Sequence, residues 1–130
     1  MVSHGIEYCF MEVSSHSIVQ DRIKGLNFKI DVFTNISHDH LNYHKTFKNY
    51  IEAKKIFFDN LSSKSVSLYN SDDKNGRIMI QNTSSKIKSF SIHKNSDYKI
   101  KIVENNLEGL VIEIQNNVIH SQISGNHNAY

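Results

Sequence analysis

The feature that most constrains the fold is an amphipathic helix predicted over residues 44–61. At about 100° per residue, its large apolar side chains fall on one face, which has to be covered by other parts of the chain. Those side chains are Phe47, Tyr50, Ile51, Phe58 and Leu61. Because strand-like segments lie before and after the helix, the sequence predicts a strand–helix–strand unit.

The remaining pattern divides the chain into two portions. Residues 6–13, 29–36 and 65–70 are typical of strands, and residues 16–24 of a short helix closed by a C-terminal glycine at position 25. Later segments are short and alternating, with Asn- or Gly-containing turns between them. They cover residues 87–93, 98–103, 110–114 and 118–123. We therefore predict an α/β portion over residues 1–84 and a small antiparallel β portion over residues 85–124.

Composition excludes several classes of protein. The chain has 130 residues, 38% hydrophobic and 22% charged, which indicates one soluble globular domain. A formal charge of +2, with lysines scattered among acidic residues, argues against nucleic acid as a partner. Apolar runs are too short for membrane insertion, and a single cysteine, Cys9, allows no internal disulfide. We expect a cytoplasmic location.

One lysine occupies an unusual position on the predicted helix. Lys54 falls near the middle of the apolar face, whereas Lys55 lies well to one side. A buried ammonium is costly unless something compensates for its lost hydration. One interpretation is that the stem packs while the charge reaches water. The other is that Lys54 points into a functional site, where it is neutral, paired or modified.

A histidine-rich loop is a candidate metal site. Residues 37–44 contain His38, Asp39, His40 and His44, and imidazole and carboxylate groups are common ligands of divalent ions. Glu12, at the end of the first strand candidate, could join them. The alternative is a solvated loop whose histidines cap neighbouring structure. On its own, the loop also allows a stand-alone, His-rich, metal-dependent hydrolase.

Three segments in order carry a more specific signal. They are MEVSSH at residues 11–16, FTNISHDHLNYH at 33–44 and YIEAKK at 50–55. Together they resemble the Mur ligase family. NSDD at 70–73, whose residues predict a turn, and GNHNAY at 125–130 resemble two further motifs of that family. The resemblance implies the central ATP-binding domain, a P-loop-type three-layer α/β sheet that here lacks its first strand and phosphate loop. It also implies that residues 125–130 begin the linker to a C-terminal domain.

The resemblance also implies an activity. Its best match is the branch that adds the third residue, meso-diaminopimelate or L-lysine, to UDP-N-acetylmuramoyl-L-alanyl-D-glutamate in peptidoglycan synthesis. Such ligases use ATP and Mg²⁺ and pass through an acyl phosphate, and we expect the complete enzyme to be a monomer. Because no Gly-rich phosphate loop is present, we expect this chain alone to be inactive. An inactive relic or a split-gene product is the alternative.

In the family, a carbamylated lysine, a histidine and a glutamate hold the metal. These positions correspond to Lys54, His40 and Glu12, so the resemblance makes Lys54 and His40 the catalytic candidates. A carbamate replaces a cation by a carboxylate-like oxygen ligand, which suits a hard ion such as Mg²⁺. The sequence departs from the family at Asn42, where an aspartate is usual.

Substrate and nucleotide positions are carried over in the same way. Ser14, Gln20 and Arg22 match positions that contact the UDP-muramoyl substrate, and the guanidinium of Arg22 suits a phosphate or carboxylate. His127 and Asn128 match the motif near the adenine and the hinge.

Overall fold

The structure is a computed structural model that describes residues 2–37 and 41–130. Its centre is a six-stranded sheet in the order β1-β2-β3-β4-β5-β6. The strands are β1 (Ile30–Phe33), β2 (Val66–Asn70), β3 (Lys86–Ser91), β4 (Tyr98–Asn106), β5 (Gly109–Ile114) and β6 (Asn117–Ser121). Strands β1 to β4 run parallel, whereas β4, β5 and β6 are antiparallel neighbours.

The helices are α1 (Ser15–Val19), α2 (Leu41–His44), α3 (Phe47–Asp59) and α4 (Gly76–Met79). Two 3-10 turns cover Val2–His4 and Asn126–Ala129. In the part of the chain that the structure describes, no helix is long and apolar enough to cross a membrane.

Helix α3 confirms the predicted amphipathic helix but begins three residues later than expected. Thr46 has an extended backbone, and its hydroxyl accepts a hydrogen bond from the N–H of Asn49 at 3.1 Å. That side-chain cap defines the start, because it satisfies a backbone donor that has no partner inside the helix. Lys45, immediately before the cap, has a φ of 65° and separates α3 from α2.

The apolar face of α3 packs on one side of the sheet, as its sequence predicts. Tyr50, Phe58 and Leu61 are buried there beside Phe33 of β1. Edge-to-face contact between the rings of Phe33 and Phe58, with centroids 6.4 Å apart, ties helix to strand. A second core lies around Phe90 and is formed mainly by β3, β4 and β5.

Three predicted elements differ from the structure. Residues 6–13 have no regular secondary structure, because no strand among the described residues pairs with their backbone, and Phe10 is 94% exposed. The helix predicted over residues 16–24 ends at Val19, since Asp21 has a φ of 55° that breaks the helical path. Strand β3, predicted to be antiparallel, instead pairs parallel with both β2 and β4.

Candidate functional site

A cleft of about 360 Å³ lies beside β1 and contains two of the predicted site residues. One wall is the irregular segment Cys9–Val13, and another is β1 with Thr34 and Asn35, which follow it. Helix α3 contributes Lys54 to the lining, and the irregular segment contributes Glu12. The fold therefore brings together two residues that are 42 positions apart in the sequence.

Helix α3 holds Lys54 at this cleft through its buried neighbours. Tyr50 lies one turn before Lys54 and Phe58 one turn after it, and both are in the core. The ammonium nitrogen of Lys54 lies 5.6 Å from the centroid of the Tyr50 ring, within the range of a cation–π contact. The lysine is thus fixed between core residues but keeps its end at the cleft.

The electrostatic environment of Lys54 is unlike that of its neighbour. Burial lowers the pKa of Lys54, and the carboxylate of Glu12 opposes this shift. Within residues 2–37 and 41–130, its ammonium makes no hydrogen bond or ion pair. Lys55, in contrast, forms an ion pair with Asp59 at 2.5 Å. Lys54 therefore combines partial burial with a lowered pKa and an opposite charge in the same cleft.

Asp31 is a residue of this cleft that the sequence analysis missed. It is only 3% exposed, and neither carboxylate oxygen has a hydrogen-bond partner among the residues that the structure describes. Burial raises its pKa from 3.8 to about 6. The hydroxyl of Ser67, on the neighbouring strand, bonds instead to Ser85 at 2.6 Å. A period-two count along β1 would have found Asp31, because it shares the inward face with Phe33.

The histidine-rich loop is only partly described. His38, Asp39 and the predicted ligand His40 lie outside the described residues. His44 is buried, its Nε2 atom lies 2.8 Å from the hydroxyl oxygen of Ser15, and its ring stacks on that of Tyr50. These contacts give His44 a packing role. Among the described residues, no three His, Cys, Asp or Glu side chains are grouped closely enough to hold a metal ion.

The predicted substrate residues lie outside the cleft lining. The hydroxyl of Ser14 caps α1, accepting a hydrogen bond from the N–H of Ser17 at 3.2 Å. Gln20, the C-cap of α1, and Arg22 are exposed. They are therefore available to a ligand at the end of α1 but do not line the cleft of Glu12 and Lys54.

The predicted nucleotide residues belong to an anchored turn. His127 and Asn128 are exposed on the 3-10 turn Asn126–Ala129. The side-chain amide of Asn128 donates to the carbonyl oxygen of Ser124 at 2.6 Å, and Ala129 is buried. Residues 125–130, predicted to begin a linker, are packed against the sheet here.

Asp72, in the NSDD turn after β2, is the residue that anchors the end of the chain. Its carboxylate accepts hydrogen bonds from the Ser91 hydroxyl, the backbone N–H groups of Ile92 and His93, and the Tyr130 hydroxyl at 3.0 Å. Partial burial alone would raise the pKa of Asp72, but these hydrogen bonds lower it to about 2. Burial, followed by the hydrogen bond to Asp72 and the charge of that carboxylate, raises the pKa of Tyr130 to about 12.

The next aspartate in the turn stabilises β1 from the other side. Asp73 accepts hydrogen bonds from the backbone N–H groups of Ile36 at 3.2 Å and Asn75 at 2.7 Å. The side-chain amide of Asn70 donates to the carbonyl oxygen of Thr34 at 2.8 Å. The motif predicted as a turn thus holds together the carboxyl ends of β1, β2 and β3, next to the cleft.

Comparisons with known proteins agree on one family. The family model described as "Mur ligase middle domain" matches residues 1–130. A relative from Bacteroides fragilis, named UDP-N-acetylmuramoyl-L-alanyl-D-glutamate--2,6-diaminopimelate ligase, is 49% identical over 129 residues, covering 99% of this chain and 27% of the relative. A relative of the same name from Cytophaga hutchinsonii is 50% identical over 130 residues, covering 100% and 27%.

A solved structure is similar over nearly the same span. It is described as UDP-N-acetylmuramoyl-L-alanyl-D-glutamate--2,6-diaminopimelate ligase, with a TM-score of 0.79 and 31% identity. The match covers 97% of this chain and 28% of that chain. The present chain therefore spans little more than a quarter of the length of the proteins it resembles.

Proposed function

This chain belongs to the Mur ligase family as its middle domain, and on that premise we propose that it is part of an ATP-dependent ligase of peptidoglycan synthesis. The ligase joins 2,6-diaminopimelate, in its meso form, to UDP-N-acetylmuramoyl-L-alanyl-D-glutamate. Diaminopimelate is preferred over L-lysine because the relatives at about half identity carry diaminopimelate in their names. The observation that carries the proposal is the position of Lys54, partly buried in one cleft with Glu12.

The reaction requires the D-glutamyl carboxylate to become a better electrophile. Transfer of the terminal phosphoryl group of ATP to that carboxylate gives an acyl phosphate and ADP. The amine of diaminopimelate then attacks the acyl carbon, inorganic phosphate leaves, and the amine loses a proton. Catalysis of this kind depends mainly on positioning and on stabilising negative charge.

The donor set of the cleft fits Mg²⁺ once Lys54 is modified. A hard divalent ion takes oxygen ligands, whereas an unmodified lysine would repel it. Carbamylation, the attack of the neutral amine on carbon dioxide with loss of a proton, converts Lys54 into an oxygen donor. The lowered pKa of Lys54 favours the neutral amine that this step needs. Glu12 and the carbamate of Lys54 would hold the ion together with His40.

Bound Mg²⁺ supplies charge neutralisation for the phosphate groups. Other residues bind the substrate. The exposed Arg22 presents a guanidinium fork for a phosphate or carboxylate, and Ser14 and Gln20 cap the two ends of α1. His127 and Asn128 lie on an anchored turn that suits contact with the adenine. Because this turn is already anchored, nucleotide binding would cost it less conformational entropy.

The experiment compares two neighbouring lysines in the complete ligase. Lys54→Ala is expected to abolish detectable diaminopimelate ligation, and short carboxylic acids should restore part of it by supplying the missing oxygen ligand. Lys55→Ala is the matched control, because Lys55 pairs with Asp59 and does not line the cleft, so its loss should leave most of the activity. Full activity of Lys54→Ala, or equal loss in both variants, would exclude the carbamate role.

An inactive relic or a split-gene product would carry the same motifs in this chain as a working ligase. Reading the coding DNA on both sides of this segment separates the two, because only a working ligase needs an in-frame phosphate loop. We do not retain the His-rich hydrolase, since the chain belongs to a ligase family and His44 is engaged with Ser15.

A further inference from the structure

The turn that carries the predicted nucleotide residues is tied to the sheet by one side chain, that of Asn105 near the end of β4. The side-chain oxygen of Asn105 accepts a hydrogen bond from the backbone N–H of Gly125 at 2.9 Å. Its side-chain amide donates to the side-chain oxygen of Asn126 at 2.7 Å. In the part of the chain that the structure describes, the other hydrogen bonds of residues 124–128 stay within the segment 121–130. Asn105 therefore joins this turn to the sheet.

Asn105 itself is held on a well-ordered hairpin. In the ladder between β4 and β5 it pairs with Leu110, which is buried in the core. The hairpin turns within two residues, between the paired Asn106 and Gly109. The side-chain oxygen of Asn106 closes this loop by accepting a hydrogen bond from the N–H of Glu108 at 2.8 Å. Because a paired strand fixes its side chains more closely than a loop does, a hydrogen bond to Asn105 restrains its partner.

The position of Gly125 determines where both predicted nucleotide residues lie. The imidazole ring of His127 covers Gly125, since an added Cβ atom at Gly125 would lie 2.8 Å from Cε1 of that ring. The backbone N–H of Asn128 donates to the carbonyl oxygen of Gly125 at 3.0 Å, and its side-chain amide donates to Ser124. A displacement of Gly125 would therefore move His127 and Asn128 together.

The two ends of the turn are attached in different ways. At the carboxyl end, Ala129 is buried in the core around Phe90, and Tyr130 bonds to Asp72. At the amino end, the attachment is the exposed side chain of Asn105. Exposed hydrogen bonds contribute little to global stability, so loss of the Asn105 contacts would free the amino end of the turn and leave the fold intact.

We propose that Asn105 is a positioning residue for nucleotide binding in the ligase. Its side-chain amide holds Gly125 and Asn126, and through them it presents His127 and Asn128 to the adenine nucleotide. A turn that is ordered beforehand loses less conformational entropy when the nucleotide binds. This role rests on the proposed function, which places His127 and Asn128 against the adenine.

Kinetics and ADP binding of the complete ligase test this role. Asn105→Ala is expected to raise the KM for ATP and the Kd for ADP by about tenfold, the scale of ordering one short segment. Both kcat and the KM for UDP-N-acetylmuramoyl-L-alanyl-D-glutamate should stay at wild-type values. Asn106→Ala is the matched control, because this neighbouring exposed asparagine bonds to Glu108 and not to the turn. It should bind ADP as the wild type does.

Two conservative variants separate hydrogen bonding from side-chain size. Asn105→Asp keeps an acceptor for the N–H of Gly125, and the amide of Asn126 can turn over to donate to the new carboxylate. Asn105→Leu has a similar size but bonds to neither group. ADP affinity should therefore be retained largely by Asn105→Asp and lost by Asn105→Leu. Equal affinities of these two variants would overturn the proposal.

Amide hydrogen exchange gives a measurement that does not depend on catalysis. Asn105→Ala removes the acceptor of the Gly125 N–H, so exchange at this amide should become about tenfold faster in the ligase without nucleotide. Exchange in β5 should be unchanged, which shows that the sheet is intact. Unchanged exchange at Gly125 would show that Asn105 does not hold the turn.

Asn128→Ala separates the positioning role from the proposed function. If Asn128→Ala weakens ADP binding and Asn105→Ala does not, the positioning role is overturned and the proposed nucleotide contact stands. If neither variant weakens ADP binding, the proposed contact is wrong and the positioning role falls with it. Equal rises in the KM values of both substrates in Asn105→Ala would also overturn the proposal, because they indicate a general loss of structure.

Discussion

Replacing Asp31 by asparagine tests whether a buried carboxyl destabilises this fold at neutral pH when it has no hydrogen-bond partner among the described residues. The substitution keeps the shape of the side chain and removes its charge. Burial raises the pKa of Asp31 from 3.8 to about 6, so the folded state binds a proton that the unfolded state releases. Stability from this group is therefore present below about pH 4 and is lost as pH rises through about 6.

The magnitude follows from the size of the shift. At about 1.4 kcal/mol per pKa unit, raising the pKa from 3.8 to about 6 corresponds to about 3 kcal/mol of stability lost by pH 7. A buried amide that lacks partners has a cost of its own, but that cost does not change with pH. The difference in free energy of unfolding, Asp31→Asn minus wild type, should therefore grow by about 3 kcal/mol between pH 4 and pH 7.

Urea unfolding followed by circular dichroism across this pH range measures the difference. Asp21→Asn is the matched control, because Asp21 is exposed and hydrated whether or not the chain is folded. This variant shows the effect of removing a surface charge. A difference for Asp31→Asn that stays constant with pH would refute the reasoning and would mean that the carboxylate is solvated or paired inside the fold.

Three further predictions concern stability. Tyr130→Phe removes the hydroxyl donor to Asp72 and should lower the free energy of unfolding by about 1–2 kcal/mol in urea titrations. Because the pKa of Asp72 lies at about 2 instead of 3.8, that loss should be present above about pH 4 and shrink as pH falls towards 2; a pH-independent loss would contradict the pairing. Gly76→Ala would place a Cβ atom 2.3 Å from the carbonyl oxygen of Asn70, so thermal unfolding should reveal a loss of about 3 kcal/mol, and an unchanged Tm would argue against this close approach. Thr46→Ala removes the N-cap of α3 and should lower the free energy of unfolding by about 1 kcal/mol in urea titrations. Thr46→Ser keeps the capping hydroxyl and should retain most of the wild-type stability.

Local patterns in the sequence predicted most of the elements because each depends on neighbouring residues. The apolar face of α3 and the alternation in β4 and β5 are visible in the order of side chains alone. The NSDD segment was predicted as a turn for the same reason. Residues 6–13 were predicted to be a strand because they are apolar, but strand formation also needs a partner backbone, which sequence patterns do not supply.

The candidate site divides in the same way. The order of the motifs identified Lys54 and Glu12, and the helical periodicity put the charged Lys54 on an apolar helix face. Neither could show that the two residues line one cleft, because that depends on how α3 packs over β1. Asp31 was overlooked because an aspartate in a short strand attracts no notice until its burial and lack of partners are known.

By itself, the sequence determined the family, the α/β class and the residues that can carry chemistry, since these depend on residue type and spacing. Only the tertiary structure decided which of them meet. The parallel pairing of β3, the four hydrogen bonds to Asp72 and the open edge of β1 all arise between segments distant in the chain. Such contacts form because burial and backbone hydrogen bonding must be satisfied over the whole fold at once, a condition that no local pattern encodes.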